Sequence, residues 1–453
     1  IHNNTVRILK TTGIDLRHTE AAGLMKKKGF RVDGTRLYIT ESQLMAAIDS
    51  TPSHFTVKSP VTGSKVHIGG DDYILTSTSG ASVISDAEGR SRDATLTDYT
   101  DLIKLGHTSD VIDLLSPLVV HPPEVPEDVL HLELMVMTLT MTDKPCMALA
   151  MNPGGARQTL SLLAHCCGSE GALASDYHSV FNVNVLSPLS FAPDEVECLK
   201  AIARANQPTT ITNMAMCGAT APIRVEDAVV LGNAEILGGI VLAQAIRPGL
   251  PVIYGSTSAA MDMNTMIATL GAPETLRIQR CMIDLARYYN LVCRAGGSLT
   301  DAHRPDGRAM GESCLTLENA IAHGAHFIMH ACGMMSSYLG VGFEKWILDE
   351  ENCRILKRAA APMDFDTLNV EDIIVMGSRG EYLTHPETFA RCRSVYRSPW
   401  KTTPPREAWT TRGATSIEQE AKDIVRERLD AYQRPAFGPA LEKELRKKMG
   451  QKN

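Results

Sequence analysis

Between Tyr73 and Gly333 the chain repeats one theme eight times: a short apolar or β-branched run, a Gly/Pro/Asn/Ser break, then residues at helical spacing. The runs are YILTSTSG (from Tyr73), VIDLLSPLVV (Val111), CMALAMNPGG (Cys146), VFNVNVLSP (Val180), TTITNMAMCG (Thr209), LPVIYGS (Leu250), LVCRAGGS (Leu291) and HFIMHACG (His326). Strands that alternate with helices pair in parallel, because a parallel partner is reached only through a crossover. Eight such units close a TIM (β/α)8 barrel, and the span from about 70 to 360 fits its usual size of roughly 250 residues or more. An open doubly wound sheet would carry a glycine fingerprint after its first strand. TSTSGASVISD contains no GxGxxG. The expected architecture is therefore α/β: a barrel over 71–360, a helical N-terminal extension over 1–70 and a helical C-terminal extension over 361–453.

The extensions carry their own patterns. NNTVRILKTTGI spaces Val6, Leu9 and Ile14 as a helix would, and Thr40 caps TESQLMAAIDS ahead of Leu44, Ala47 and Ile48. Beyond residue 361 a Pro-rich connection, RSPWKTTPPREAWTTRG, leads to two charged helices that read as a solvated appendage.

Bulk numbers exclude some functions. Lys and Arg total 45 against 52 Asp and Glu, a net charge of −7, so no basic field invites nucleic acid or an anionic membrane. No apolar run approaches the roughly 20 residues of a membrane span. IHNNTVRILKTTGI is not a secretory signal, and a chain beginning at Ile1 suggests a short missing piece ahead of it. Eleven cysteines without a CxxC fit a reduced, cytoplasmic interior.

In a TIM barrel the chemistry sits where the strands end. The ends of the runs offer Ser77, Ser79, Asn152, Asn184, Met214, Met216, Tyr254, Ser256, Arg294 and His330. No facing carboxylate pair appears, which disfavours glycoside hydrolysis, and GxSxG, HExxH and a Walker loop are missing. Arg294 is costly to bury alone. It either pairs with an acid such as Asp301 or anchors a substrate carboxylate. In HFIMHACG strand alternation puts His326, Ile328, His330 and Cys332 on one face, with Met329 and Ala331 towards the helices. A zinc site built on His330 and Cys332 lacks further ligands. Aromatics total 5 % of the chain, so Tyr99, Tyr254, Tyr338, Phe343 and Trp346, all near strand ends in the sequence, draw notice. Tyr99 and Phe343 are candidates for a cation–π wall, whereas Trp346 reads as rim cover.

GATAP, NAEILGGIVLAQ, PGLPVIYGS and ARYY, within the block from Cys217 to Glu312, resemble the trimethylamine methyltransferase superfamily. The likeness extends more weakly over about 1–360. It implies a TIM barrel that passes a methyl group from a methylated amine to the Co(I) of a corrinoid supplied by a separate protein, with no tightly bound metal of its own. Founding members carry pyrrolysine. Here the corresponding slot lies within HRPDGRAM, at Gly307, and holds an ordinary residue. The chain is thus most similar to the non-pyrrolysine, glycine betaine group. A quaternary nitrogen leaves as a neutral tertiary amine, so no general acid is required. The resemblance then suggests Arg294 and His330 for the substrate carboxylate, with Tyr99, Phe343 and Tyr254 near the ammonium. It further suggests Asp301 and His303 as groups that orient Arg294 or approach the corrinoid, and Ser256 and Asn184 on the corrinoid side. A homo-oligomer through the terminal helical parts is compatible with this reading. The rivals are a zinc-dependent corrinoid methyltransferase for a thiol or alcohol, and a non-catalytic quaternary-amine binder.

Overall fold

The structure, a computed structural model, describes residues 1–398, 400 and 405–450. The Pro-rich connection therefore lies partly outside the described residues.

All eight runs become barrel strands. Six form a continuous parallel sheet: Ile74–Leu75 (first), Phe181–Asn184 (fourth), Thr209–Asn213 (fifth), Val252–Ser256 (sixth), Cys293–Gly296 (seventh) and Phe327–Met329 (eighth), with the first strand beside the eighth. The second and third runs pair more sparsely. Single parallel bridges Thr76–Leu114, Leu115–Cys146 and Met147–Val180 carry the sheet round to the fourth strand and close the barrel.

Three helices precede the barrel: α1 (His2–Thr11), α2 (Thr19–Lys27) and α3 (Glu41–Asp49). The outer wall comprises α4 (Leu96–Thr108), α5 (Glu127–Met141), α6 (Pro153–Cys166), the short α7 (Glu170–Ser175), α8 (Pro193–Arg204), α9 (Val225–Ile246), α10 (Pro273–Tyr288), α11 (Gly307–Ala322) and α12 (Phe343–Ala359). Then follow α13 (Val370–Met376), α14 (Pro386–Arg391), α15 (Arg406–Thr411), α16 (Ile417–Ala431) and α17 (Gly438–Gly450).

The barrel interior has a dry lower layer. Ile74, Leu114, Met147, Val180, Ile253, Val292 and Phe327 point inwards and meet Phe55, Val57 and Ile68 from a hairpin, His54–Lys58 with Lys65–Gly69. That hairpin plugs the end of the barrel where the strands begin. The N-terminal extension is accordingly mixed rather than purely helical. Its period-2 stretch FTVK was hidden beside stronger helical signals, and a small antiparallel sheet (Ile14–Asp15, Arg31–Asp33, Arg36–Tyr38) joins the three helices.

Helix α9 corrects a second expectation. It is long and apolar enough to cross a membrane, yet it is mostly buried inside the fold. It is apolar all round because the barrel covers one side and α1 and α3 cover the other. Its approach to the fifth strand depends on glycine: a Cβ on Gly239 would stand 2.5 Å from Ile211 Cγ2 and 2.9 Å from the Phe191 ring.

The last helices are not a solvated appendage. Helix α16 lies against α4 and α12, and α17 against α5. Arg428 reaches Glu350 (2.7 Å) and Leu105 O (2.5 Å), Tyr432 donates to Met141 O (2.8 Å), and Arg446 meets Glu133 (2.7 Å). These charges serve as anchors to the barrel wall, which is why helix charge alone misled. Trp346 is fully buried and donates to Glu350 (3.0 Å), so it is core rather than rim cover.

Candidate active site

A cleft of about 450 Å³ opens at the ends of the strands. Arg294, Met329, His330 and Tyr338 line one side; Asn182, Asn184, Thr212 and Met214 line another; Ser79, Ser116, Met147 and Met151 are among the rest.

Arg294 follows inward-facing Val292 by two residues, so strand parity aims it into the barrel. It is 6 % exposed. Its Nε donates to Met329 Sδ (2.8 Å), Nη1 donates to Ser256 O (3.3 Å), and Nη2 lies 3.4 Å from His330 Nε2. Among the described residues no carboxylate forms an ion pair with it, and burial lowers its pKa. Asp301 is not its partner. The Asp301 carboxylate accepts from Leu270 N (2.8 Å), Gly271 N (3.1 Å) and Ser337 Oγ (2.7 Å), bracing the loops after the sixth and eighth strands.

His330 reaches the cleft against strand parity. Phe327 and Met329 face the interior while Ile328 and Ala331 pack in the helix-side core. The alternation expected from the sequence is therefore inverted for Ile328 and Met329, and holds for Ala331. Continued alternation would send His330 outwards, but its backbone turns left-handed (φ 59°) and swings the ring inwards. Ser79 N–H donates to its Nδ1 (3.3 Å). A backbone amide only donates, so the neutral ring carries its proton on Nε2. Burial, and then the charge of Arg294, hold its pKa well below the usual histidine range. Nε2–H and the Arg294 Nη2 group are thus two donors 3.4 Å apart with no acceptor between them. Such a pair fits the two oxygens of a carboxylate.

Tyr338 is the aromatic face in this cleft. Its ring centroid lies 5.1 Å from that of His330, and burial pushes its phenol up to about 12. Ser336, Ser337 and Tyr338 all have left-handed φ (52°, 53° and 76°), a conformation costing about 1–2 kcal/mol per residue outside glycine. The Asp301–Ser337 bond and the bonds Ser336 N to Ala302 O (3.0 Å) and Ser337 N to Thr300 O (3.2 Å) hold this turn.

The other expected residues lie elsewhere. Tyr99 is fully buried between α4 and α5, donating to Leu134 O (3.0 Å) beside Thr138 Oγ1 (2.8 Å). Tyr254 shares the outward parity of Val252 and donates to Asn233 of α9 (2.8 Å). Phe343 opens α12 and packs against the helix-side core. Asn152 caps α6 through Gly155 N (2.8 Å). Ser256 sits behind the cleft, its carbonyl on Arg294 and its hydroxyl on Ser258 (3.1 Å). His303 is at the exposed rim beside Ser336 (2.9 Å). Asn184 does line the cleft, tied to Asn182 (2.8 Å) and Glu195 (3.2 Å). Asn182 and Thr212 were missed, yet parity finds them: they follow inward Val180 and Thr210 by two. His326 lies at the opposite end of its strand, bonded to Gly70 O (3.1 Å), and Cys332 faces Cys353 on the helix side. Among the described residues no three His, Cys, Asp or Glu side chains converge as a metal site.

A family model for trimethylamine methyltransferase (MTTB) matches residues 1–453. The chain belongs to the trimethylamine methyltransferase family. Glycine betaine methyltransferase of Desulfitobacterium hafniense (strain Y51) is 31 % identical over 449 residues, covering 98 % of this chain and 93 % of that protein. Proline betaine:corrinoid methyltransferase of Eubacterium limosum is 30 % identical, covering 85 % and 81 %. Among solved structures, monomethylamine methyltransferase of Methanosarcina barkeri has the same fold, with a TM-score of 0.53 at 12 % identity over 95 % of this chain and 97 % of that one. Gly307, expected from the sequence resemblance to occupy the pyrrolysine slot, is the first residue of α11, and a Cβ there would meet open space.

Proposed function

We propose that this chain transfers a methyl group from a quaternary amine bearing a carboxylate, glycine betaine foremost, to a corrinoid carried by a partner protein. The observation that carries the reading is the buried Arg294 guanidinium, without an acidic partner among the described residues and beside the Nε2–H of a neutral histidine. A permanent cation held in this way calls for an anionic ligand. With the carboxylate bound there, the trimethylammonium faces Tyr338 and the methionine-lined part of the cleft. Ring faces and polarizable sulfurs suit a methylated cation.

The cleft's titratable groups agree with the chemistry. Arg294 stays charged, His330 stays neutral and Tyr338 stays protonated near neutral pH. No lining side chain among the described residues is a carboxylic acid. A dealkylation that releases a neutral tertiary amine needs no proton delivered, so the protein's task is to hold the methyl towards the mouth and exclude water.

The corrinoid supplies the Co(I) nucleophile. The residues present suit its approach. The mouth is open, and Met151, Met214, Ile223, Met263, Met266 and Leu339 expose apolar side chains on the loops around it. An apolar rim of this kind fits a partner protein's face.

Turnover with glycine betaine and cob(I)alamin tests the reading. The expected result is consumption of Co(I) absorbance with one dimethylglycine formed per methyl transferred. A panel of proline betaine, carnitine and choline then sets the substrate. Binding of betaine without dimethylglycine would leave a non-catalytic binder, and the proposal fails.

A further inference from the structure

The fourth and fifth strands carry a chain of polar side chains along one wall of the cleft. At its mouth end is Glu195, in the first turn of α8. The Glu195 carboxylate accepts from Asn184 N (3.1 Å) and from Asn184 Nδ2 (3.2 Å). Asn184 Oδ1 accepts in turn from Asn182 Nδ2 (2.8 Å), and Asn182 Oδ1 accepts from the hydroxyls of Thr210 and Thr212 (2.9 Å from Thr212). The deep end fits closely. A Cβ on Gly255, beside Thr212 in the sixth strand, would stand 2.7 Å from Thr212 Oγ1.

This chain has a direction, and only one end sets it. A hydroxyl donates or accepts, so the threonines tolerate either orientation of the two amides. A carboxylate only accepts. Glu195 therefore turns the Asn184 NH2 group towards itself, Asn184 Oδ1 towards Asn182, and Asn182 Oδ1 towards the threonines. Asn184 is left exposed in the cleft with one N–H and one oxygen lone pair that no described residue uses.

The substrate does not use them either. In the reading proposed above, on which this inference rests, Arg294 and His330 hold the betaine carboxylate. Arg294 is three strands from Asn184 in register, by way of Gly255 and Thr212. A quaternary nitrogen has neither a hydrogen nor a lone pair, so it offers Asn184 no bond. One donor beside one acceptor is the complement of another primary amide. A corrin ring carries primary amides around its rim, and the ring must cover the cleft for cobalt to reach the methyl group. We infer that Asn184 pairs with a rim amide of the corrinoid, and that Glu195 is the positioning residue that aims it. The location favours the ring over the partner's polypeptide, because Asn184 is a strand residue within the cleft and not part of the loops that form its rim.

Calorimetric titration of the full chain with methylcobalamin, and separately with glycine betaine, tests the inference. Asn184→Leu should weaken methylcobalamin binding by roughly five- to a hundredfold, the worth of two ordinary hydrogen bonds. Betaine affinity and melting temperature should not change. Glu195→Gln offers one acceptor in place of two and frees the chain to reverse, so its loss should be of similar size. The double variant should bind no more weakly than Asn184→Leu, because Glu195 acts through Asn184. A second probe needs no variant. Among methylcobalamins with a single rim amide hydrolysed to carboxylate, one should bind the wild type more weakly by a similar factor, and Asn184→Leu should not discriminate against it. Equal affinity of the wild type for the whole series overturns the inference. So does a wild type that does not bind methylcobalamin, or an Asn184→Leu variant that binds it normally. A parallel loss of betaine affinity overturns it too and makes Asn184 a substrate contact. A double variant much weaker than Asn184→Leu removes the positioning role of Glu195. Failure of the substrate reading shows separately, as betaine left undemethylated while these cobalamin affinities hold.

Discussion

Arg294→Met separates a ligand anchor from a structural cation. The guanidinium is 6 % exposed and has no carboxylate on it among the described residues; its bonds run to a thioether and one carbonyl. Removing one partner of a desolvated charge pair costs ~2–5 kcal/mol of binding, or roughly 30-fold to several thousand-fold in affinity. Betaine affinity, measured by calorimetry and as KM with cob(I)alamin, should fall by that factor. Choline has the same head group and no carboxylate, so its weak affinity should be unchanged or improved. Stability should move the other way. An uncompensated buried charge is expensive, and replacing buried ionic groups with apolar ones of similar volume is often neutral or stabilising by about 1–4 kcal/mol. The ligand-free melting temperature of Arg294→Met should therefore hold or rise by a few degrees. A clear drop in melting temperature, with betaine affinity retained, refutes the reasoning and makes Arg294 a structural residue.

Other perturbations check separate parts of the site. Tyr338→Leu removes the aromatic face and should raise KM for betaine by about five- to thirty-fold, on the scale of ~1–2 kcal/mol for a desolvated cation–π contact, whereas Tyr338→Phe should stay near wild type; equal losses in both would assign the role to the hydroxyl. Tyr99→Phe deletes a buried helix–helix hydrogen bond and should lower stability by ~1–2 kcal/mol without altering KM, read by denaturant unfolding and kinetics together. Because Arg294, His330 and Tyr338 keep their charge states, kcat/KM for betaine should be flat from about pH 6.5 to 9, and a bell-shaped profile would reveal an acid or base not among the described cleft residues. His330 also links stability to pH. Its folded pKa lies below the unfolded value of about 6.5, so its contribution is whole above that pH. It is lost as the pH falls, when the unfolded chain takes up a proton the folded one refuses. His330→Asn should flatten the decline in melting temperature between about pH 6.5 and 5.

The barrel was legible because its signal is repeated. Eight apolar runs with intervening helical spacing admit few topologies, and the second and third succeeded although only single bridges hold them. The ends of the chain were less legible for a definite reason. Charge on IEQEAKDIVRERLDAYQRP reads as solvation, yet Arg428 is long enough to cap Leu105 O and pair with Glu350 while α16 buries Ala421. A flexible cation can serve as solvent-facing surface or as a clasp, and composition does not distinguish them. The hairpin plug was hidden for a related reason: two five-residue strands carry too little alternation to stand out beside α1 and α3.

The site was legible where parity governs and obscure where it fails. Arg294, two residues past Val292, points inwards on any regular strand. The same rule would have recovered Asn182 and Thr212 and dismissed Tyr254, whose neighbour Ile253 is the inward residue. Choosing aromatics by their closeness to strand ends in the sequence ignored which face they occupy, and so Tyr99 and Phe343 were favoured over Tyr338. His330 is the opposite case: it lines the cleft, although the stated alternation does not hold. Met329 fills the inward position, and a left-handed residue directly after it lets a second consecutive side chain enter the same cleft. Histidine is tolerated there better than most residues, but the conformation stores strain that the surrounding bonds must hold. Those bonds are the Ser79 amide on Nδ1 and the loop braced by Asp301. Both also determine where the proton on Nε2 points and where the Tyr338 ring lies. A strained turn, a fixed tautomer and a guanidinium without a carboxylate among the described residues therefore form one arrangement, the one we propose holds the substrate carboxylate.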